Sequence, residues 1–322
     1  MTYRRLGDSG LTVSTVGIGC NNFGMRIDAD ATRAVVVAAL DAGITLFDTS
    51  DSYGSRPGES EEYLGAALRG RREQAIVATK FGSDLHGANG PDWGARGSRR
   101  YIRRAVEASL RRLETDWIDL YQIHWQDPET PMEETLSALD ELVREGKVRY
   151  VGSSNHAAWQ VADADWISRT SGLTRFISAQ NEYSLLKRDV EEELVPACEA
   201  YGIGLLPYFP LASGLLTGKY RRGEDAPAGS RLGASDRWAR RLQAAPWDRI
   251  EDLQRLAEER GRTLLDLAIG GLAARPAVTS VIAGATSPEQ VRANAEAGTW
   301  APSEDDEAAL TSALLDGTAG SG

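Results

Sequence analysis

The sequence predicts an α/β protein folded as one (β/α)8 TIM barrel, with an N-terminal β-hairpin and a long loop after the seventh strand. Three observations predict it. Eight short apolar runs, of the kind buried on both faces of a parallel sheet, recur along the 322 residues. Most are followed by a stretch with apolar residues at three-to-four spacing, which lays one apolar stripe of a helix on the sheet. Polar or ionisable residues stand where several of the runs end, and in a barrel of this kind that end forms the face open to chemistry.

Taken in order, the strands are expected at 16–19, 45–48, 76–79, 118–123, 148–152, 177–180, 203–207 and 280–283, and the helices between them at 31–42, 60–69, 99–113, 132–145, 157–171, 190–201 and 289–297. Parallel pairing with right-handed crossovers follows. The fourth strand, with Asp119-Leu120-Tyr121-Gln122, mixes polar and apolar residues and rests on its place between two strong helices. Ahead of the first strand, Arg4-Arg5-Leu6 and Leu11-Thr12-Val13 flank the turn-rich Gly7-Asp8-Ser9-Gly10, so residues 1–14 are expected to form a hairpin plugging the barrel floor. The long segment before the eighth strand holds the Gly/Pro/Arg-rich stretch 220–233 and two expected helices, 247–260 and 264–274; residues 210–246 read as a lid or binding loop. The tail from 316, ending Gly317-Thr318-Ala319-Gly320-Ser321-Gly322, has nothing to bury and is expected to fray.

One domain covering 1–322 is the expectation, because closed barrels commonly run past 250 residues as a unit. A composition 42% hydrophobic and 26% charged suits a large core and argues against disorder. The net charge of −11 would make a nucleic-acid backbone or an anionic membrane surface repel most of the molecule, so a small-molecule partner fits better. Two cysteines, Cys20 and Cys198, are too few for a disulfide framework, and no metal-ligand spacing accompanies them. With no signal-like or membrane-spanning apolar stretch, a soluble protein of the cytoplasm is expected.

Four residues at neighbouring strand ends share a chemistry. Asp48 ends the second strand, Lys80 the third and His124 the fourth, and Tyr53 follows Asp48 by five positions in Asp48-Thr49-Ser50-Asp51-Ser52-Tyr53-Gly54. Reducing a carbonyl takes a hydride and a proton, and a phenol with an ordinary pKa of about 10 donates poorly near neutrality unless its anion is stabilised. Lys80 would stabilise that anion, Asp48 would hold the ammonium, and His124 would orient and polarise the substrate oxygen. Singly, each has a plain structural explanation: a turn-capping Asp, a solvated Lys, a packing Tyr, a satisfied His. Their joint appearance is harder to dismiss.

The set resembles the Asp, Tyr, Lys, His tetrad of the aldo-keto reductase superfamily, in its longer-chain branch of bacterial reductases and potassium-channel β-subunit-like proteins. The resemblance spans nearly the whole chain and includes 43–54, Gly146-Lys147-Val148-Arg149-Tyr150-Val151-Gly152-Ser153-Ser154-Asn155 and 207–220. It implies an NADPH-dependent oxidoreductase reducing an aldehyde or ketone to an alcohol, with Tyr53 as general acid. No Gly-x-Gly-x-x-Gly opens a dinucleotide fold, so the barrel itself would hold the cofactor.

By the same resemblance, Ser154, Asn155 and Gln180 would hydrogen-bond the nicotinamide carboxamide and Tyr208 would stack on its ring. The segment from Leu211 through Ser213 to Lys219 resembles the pyrophosphate loop, and 284–294 resembles the adenosine-phosphate site at a helix N-terminus, with Thr286, Gln290 and Asn294 matching directly. The chain departs from other reductases at Gly284, where many have lysine, at Gln290, where they have arginine, and at Ala293, where a glutamate often stands. Lys219 and Arg231 match basic positions that serve the 2′-phosphate, which favours NADPH and leaves NADH possible; the same charges could simply solubilise a loop.

Asn21, Phe23, Trp93 and Trp125, with Trp238 a further candidate, are expected to frame an aromatic-lined substrate pocket suited to sugars, small aldehydes or aromatic carbonyls. No metal is expected, and the sequence sets no oligomeric state. Two other readings compete: a redox-sensing regulatory subunit that binds NADP(H) but turns over slowly, and a barrel lyase using Lys80 as a Schiff-base nucleophile.

Overall fold

The computed structural model describes residues 1–316. An antiparallel hairpin, β1 (Tyr3–Arg5) with β2 (Thr12–Ser14), precedes an eight-stranded parallel sheet. The sheet strands are β3 (Val16–Gly19), β4 (Leu46–Asp48), β5 (Ile76–Phe81), β6 (Ile118–Ile123), β7 (Val148–Ser154), β8 (Phe176–Gln180), β9 (Gly204–Leu205) and β10 (Val281–Gly284), in the order β10-β3-β4-β5-β6-β7-β8-β9. Bonds between the ends of that order close it: the Leu205 amide donates to Ala277 O at 2.8 Å, and the Ile282 amide to Pro207 O at 2.9 Å. The (β/α)8 expectation holds, hairpin included.

The connecting helices are α1 (Ala29–Asp41), α2 (Glu59–Ala67), α3 (Arg99–Leu113), α4 (Met132–Arg144), α5 (Ala158–Ser171), α6 (Leu194–Tyr201), α7 (Asp236–Gln243), α8 (Trp247–Glu259), α9 (Leu264–Ala273), α10 (Pro288–Ala297) and α11 (Glu304–Asp316). Their buried stripes pack on the outer face of the sheet in one continuous apolar core. The expected helix at 190–201 starts later, at Leu194, because a 3-10 turn over Asp189–Glu191 takes up its first residues. β9 is shorter than the expected 203–207, covering Gly204–Leu205, while the Leu206 and Tyr208 amides beyond it still donate to Ala179 O and Asn181 O. The region 210–246 is not only loop: it holds a kinked 3-10 segment, Ala212–Thr217, and α7. Asp316 ends α11, and the rest of the expected frayed tail lies outside the described residues.

Strand alternation divides the barrel interior into two levels. Leu46 and Asp48, Ala78 and Lys80, and Leu120 and Gln122 are pairs two positions apart on one strand, so both members of each pair face the same side. The lower members join Leu6, Val13, Leu206 and Ile282 in a second, separate apolar cluster. Leu6 and Val13 belong to the hairpin segment, so the hairpin closes the floor as expected. The upper members face the C-terminal mouth. No helix among the described residues is long and apolar enough to cross a membrane.

Candidate active site

The upper layer is built around one buried ion pair. Lys80 is fully buried and its Nζ donates to Asp48 Oδ2 at 2.7 Å, to Thr49 O at 2.9 Å and to Tyr53 Oη at 3.3 Å. Asp48 Oδ1 accepts from Gln180 Nε2 at 2.8 Å and Gln122 Nε2 at 3.3 Å, so both carboxylate oxygens are held. A buried charge pair is tolerated when its remaining hydrogen-bonding capacity is filled in this way. Burial works against the ammonium, but the charges of Asp48 and Tyr53 outweigh it and push the pKa of Lys80 up. Tyr53, on the loop after β4, also has a raised pKa: burial raises it, and Lys80 pulls it partly back. The phenol is therefore protonated at neutral pH with an ammonium already beside its oxygen.

His124 follows β6 and lies edge-on to Tyr53, ring centroids 5.8 Å apart. Its Nδ1 is within hydrogen-bond reach of Ser83 Oγ at 2.9 Å and Ser50 Oγ at 3.2 Å. Burial, then the charge of Lys80, lowers its pKa to about 3, so the imidazole is neutral. A neutral imidazole carries one N–H and one bare nitrogen.

One cavity of about 500 Å³ opens over these groups and runs across the barrel mouth to the N-terminus of α10. Asp48, Tyr53 and His124 lie on its wall at one end; Ser154, Asn155, Gln180 and Tyr208 follow; then come Leu211, Ser213 and Lys219, with Arg231, Gly284, Thr286, Gln290 and Asn294. Asn155 has a left-handed φ of 58°, which a residue other than glycine adopts only when its surroundings enforce it. Its Nδ2 donates to His124 O at 3.0 Å and its Oδ1 accepts from Tyr208 Oη at 2.7 Å, so three strand ends are tied together at one side chain. Ala212 and Ser213 are also left-handed, φ 46° and 64°, which gives the turn after β9 its sharp curl. At the far end Gln290 Oε1 accepts from the Thr286 amide at 2.8 Å and its hydroxyl at 3.1 Å, and Asn294 Nδ2 donates to Gly284 O at 3.4 Å.

Of the expected pocket residues, Asn21 and Trp125 line the cavity, and Trp125 is half-exposed and stacked on His124 at 5.9 Å. Phe23 does not: it is fully buried in the apolar core behind the loop, where an aromatic ring loses most contact with water. Trp93 is also absent from the wall; it is 75% exposed, with the Arg100 guanidinium 4.0 Å above its ring. Trp238 sits off the wall too, beside the guanidinium groups of Arg231 and Arg241.

The sequence reading missed Asn22, Arg26 and Ser230, which line the cavity, and the hydroxyls of Ser50 and Ser83 behind His124. Arg231 Nη2 donates to Asn22 Oδ1 at 2.8 Å, and Arg26 Nη2 to Gly229 O at 3.0 Å, so the loop after β3 and the long loop bind each other across the cavity. None of Arg26, Lys219 and Arg231 forms an ion pair with a carboxylate among the described residues. Three uncompensated cations line one side of a cavity in a chain of net charge −11.

Residues 15–315 match the model of the aldo/keto reductase family. The chain is 37% identical to a probable voltage-gated potassium channel subunit beta of Oryza sativa subsp. japonica, over 92% of this chain and 91% of that one. It is 35% identical to an L-glyceraldehyde 3-phosphate reductase of Escherichia coli, over 92% and 87%, and 34% identical to a versiconal hemiacetal acetate reductase of Aspergillus parasiticus, over 88% of each. On the family match and on this similarity along nearly its whole length, the chain belongs to the aldo/keto reductase family, whose members carry out oxidoreductase chemistry on carbonyl compounds.

Proposed function

We propose that the chain is an NADPH-dependent reductase that converts a small aldehyde, sugar or aromatic carbonyl to its alcohol, with Tyr53 as the proton donor. The observation that carries the reading is the Lys80 ammonium, held by Asp48 and 3.3 Å from the Tyr53 oxygen, at the end of a cavity whose other end is cationic.

The wall suits a dinucleotide. The hydroxyl oxygens of Ser213 and Ser230 are buried on the cavity wall without a hydrogen-bond partner among the described residues, which leaves two donors free for a ligand. Burial, then the charges of Arg26 and Arg241, lowers the pKa of the Arg231 guanidinium, a crowding of like charge that a phosphate would relieve. Ser154, Asn155, Gln180 and Tyr208 would hold the nicotinamide end, the curled turn from Leu211 to Lys219 the pyrophosphate, Gly284, Thr286, Gln290 and Asn294 the adenosine, and Arg231 with Lys219 the 2′-phosphate. The bound nicotinamide supplies the hydride that adds to the carbonyl carbon.

The chain's own residues then handle the proton. His124 donates a hydrogen bond to the carbonyl oxygen, which polarises it without transferring a proton. Tyr53 gives its phenolic proton to that oxygen as the C=O double bond becomes C–O–H, and the phenolate left behind faces the Lys80 ammonium. Trp125 and Asn21 border the space for the rest of the substrate. Two relatives named as reductases, of L-glyceraldehyde 3-phosphate and of versiconal hemiacetal acetate, support a carbonyl substrate. The acidic net charge supports a diffusible small-molecule partner over a nucleic-acid or membrane partner.

Lys80 itself is unsuited to Schiff-base chemistry. A nucleophilic lysine must be neutral, whereas this one is an ammonium with all three protons donated. The test is a titration with NADPH and, separately, NADH, followed by quenching of tryptophan fluorescence, then turnover on a carbonyl panel. Micromolar quenching by NADPH, weaker quenching by NADH, and turnover support the reading. Absence of binding by either overturns it, and tight binding without turnover points to a redox-sensing subunit.

A further inference from the structure

Which nitrogen of His124 carries its proton decides what the ring can do. With the proton on Nε2 the ring can donate to a carbonyl oxygen in the cavity; with it on Nδ1 the ring presents only a lone pair. Nδ1 is the nitrogen already occupied, flanked by Ser83 Oγ at 2.9 Å and Ser50 Oγ at 3.2 Å.

The two hydroxyls are not equivalent. Ser50 Oγ accepts from the Ser52 amide at 3.2 Å, and Ser52 Oγ at 2.9 Å, Asp51 Oδ1 at 3.4 Å and His124 Nδ1 at 3.2 Å all compete for its single proton. Ser83 comes from the loop after β5, is half-buried, and its hydroxyl makes no other hydrogen bond among the described residues. If Nδ1 bore the proton, the Ser83 hydrogen would have no protein acceptor; if Nδ1 is bare, that hydrogen has one at 2.9 Å. We infer that Ser83 is a positioning residue, whose hydroxyl donates to Nδ1 of His124 and keeps the neutral ring's proton on Nε2, the nitrogen left for the cavity. The consequence for turnover rests on the reductase reading above; the tautomer itself does not.

The chain supplies its own reference. His156 Nδ1 lies 2.9 Å from Ser154 O, and a carbonyl oxygen can only accept, so the neutral ring of His156 carries its proton on Nδ1. With only three histidines, His86 being exposed, the nitrogen spectrum of histidine-labelled protein is simple enough to assign with one His124→Ala sample.

The measurement is ¹⁵N NMR of the labelled full chain without substrate, at neutral pH. The expected result is an Nε2–H tautomer for His124 opposite to that of His156, loss of that preference in Ser83→Ala, and its return in Ser83→Thr. An Nδ1–H tautomer in the wild type overturns the inference even if the alanine variant does not fold, as does an unchanged tautomer in a folded Ser83→Ala. In turnover, Ser83→Ala should lower kcat about tenfold, the scale of one lost hydrogen bond, with NADPH affinity unchanged. The expected tautomers without carbonyl reduction in any variant overturn the proposed function and support the role of Ser83.

Discussion

At the scale of single residues, the site separates a proton that moves from charges that stay. Tyr53→Phe removes the phenol that touches Lys80 Nζ, so kcat should fall by about 10²–10⁴ while NADPH affinity stays nearly constant. Steady-state turnover paired with a fluorescence titration checks this, and unchanged turnover would remove Tyr53 from the mechanism. Neutral His124 makes a different prediction, about pH. Its folded pKa is about 3 against 6.5 for the free side chain, so between those values the unfolded chain binds a proton that the folded chain does not. The ring's contribution to stability is therefore complete above about pH 6.5 and is lost as pH falls, by up to about 1.4 kcal/mol per pH unit. Burial depresses His156 in the same direction. Asp51 has the opposite sign, because burial and Glu61 raise its carboxyl and its contribution is lost as pH rises through that raised value. Thermal melts from pH 8 to 5 should show Tm falling below about 6.5, and less steeply in His124→Asn. The same pH dependence of Tm in wild type and His124→Asn would mean that His124 is solvated or already paired.

At the scale of elements, the sequence was most readable where both faces of a strand are buried. The runs at β3 and β6 match to the residue: β3 is an apolar stretch covered on both sides, while β6, which mixes polar and apolar residues, is fixed by the helices on either side of it. Even the polar members of β6 are explained by pairing: Asp119 receives Arg72, Arg149 and the Val77 amide, and Gln122 reaches Asp48. Two helices went unread. The segment of α7 is rich in arginine with few apolar positions, and α11 carried only start signals, an acidic first turn and a capping box in which the Ser303 and Asp306 side chains each accept the other's amide. In the candidate site, the tetrad was visible because each member ends a strand or follows one closely. Arg26, Asn22 and Ser83 were not, because what defines them is a partner far along the chain, as with Asn22 and Arg231, 209 positions apart. Phe23 and Trp93 were misread because an aromatic type alone suits a core, a surface and a pocket equally. Helix packing yields a prediction of its own at Gly65 of α2. A Cβ there would lie 2.6 Å from the carbonyl carbon and oxygen of Leu113 at the end of α3. Backbone cannot swing aside as a side chain does, so Gly65→Ala should destabilise by about 1–3 kcal/mol despite alanine's better helix propensity. A chemical denaturation midpoint equal to or above the wild type's would show that α2 can slide without cost.

At the scale of the whole molecule, barrel closure brings remote stretches of chain onto one cavity. The loop after β3, the long loop after β9 and the start of α10 meet there, and each brings groups suited to an anion: Arg26, Lys219 with Arg231, and a helix N-terminus. The net charge of −11 repels anions at long range, so on the proposed reading a preference for NADPH would come from these short-range contacts and not from steering. That separation can be measured. A ligand at 100 times its Kd stabilises the folded state by about 2.7 kcal/mol, so NADPH should raise Tm by several degrees and NADH at the same concentration by less. Arg231→Ala should raise the Kd for NADPH by about tenfold to a hundredfold, the range for a charge-assisted hydrogen bond, and leave that for NADH nearly unchanged. Among the described residues the three cations have no carboxylate partner, so removing one leaves no buried anion behind, but Arg231→Ala frees the buried Asn22 Oδ1 and should lower the unliganded Tm modestly. Equal losses for the two cofactors would instead assign Arg231 to a part of the dinucleotide that both share, and leave the 2′-phosphate to Lys219 and Arg26.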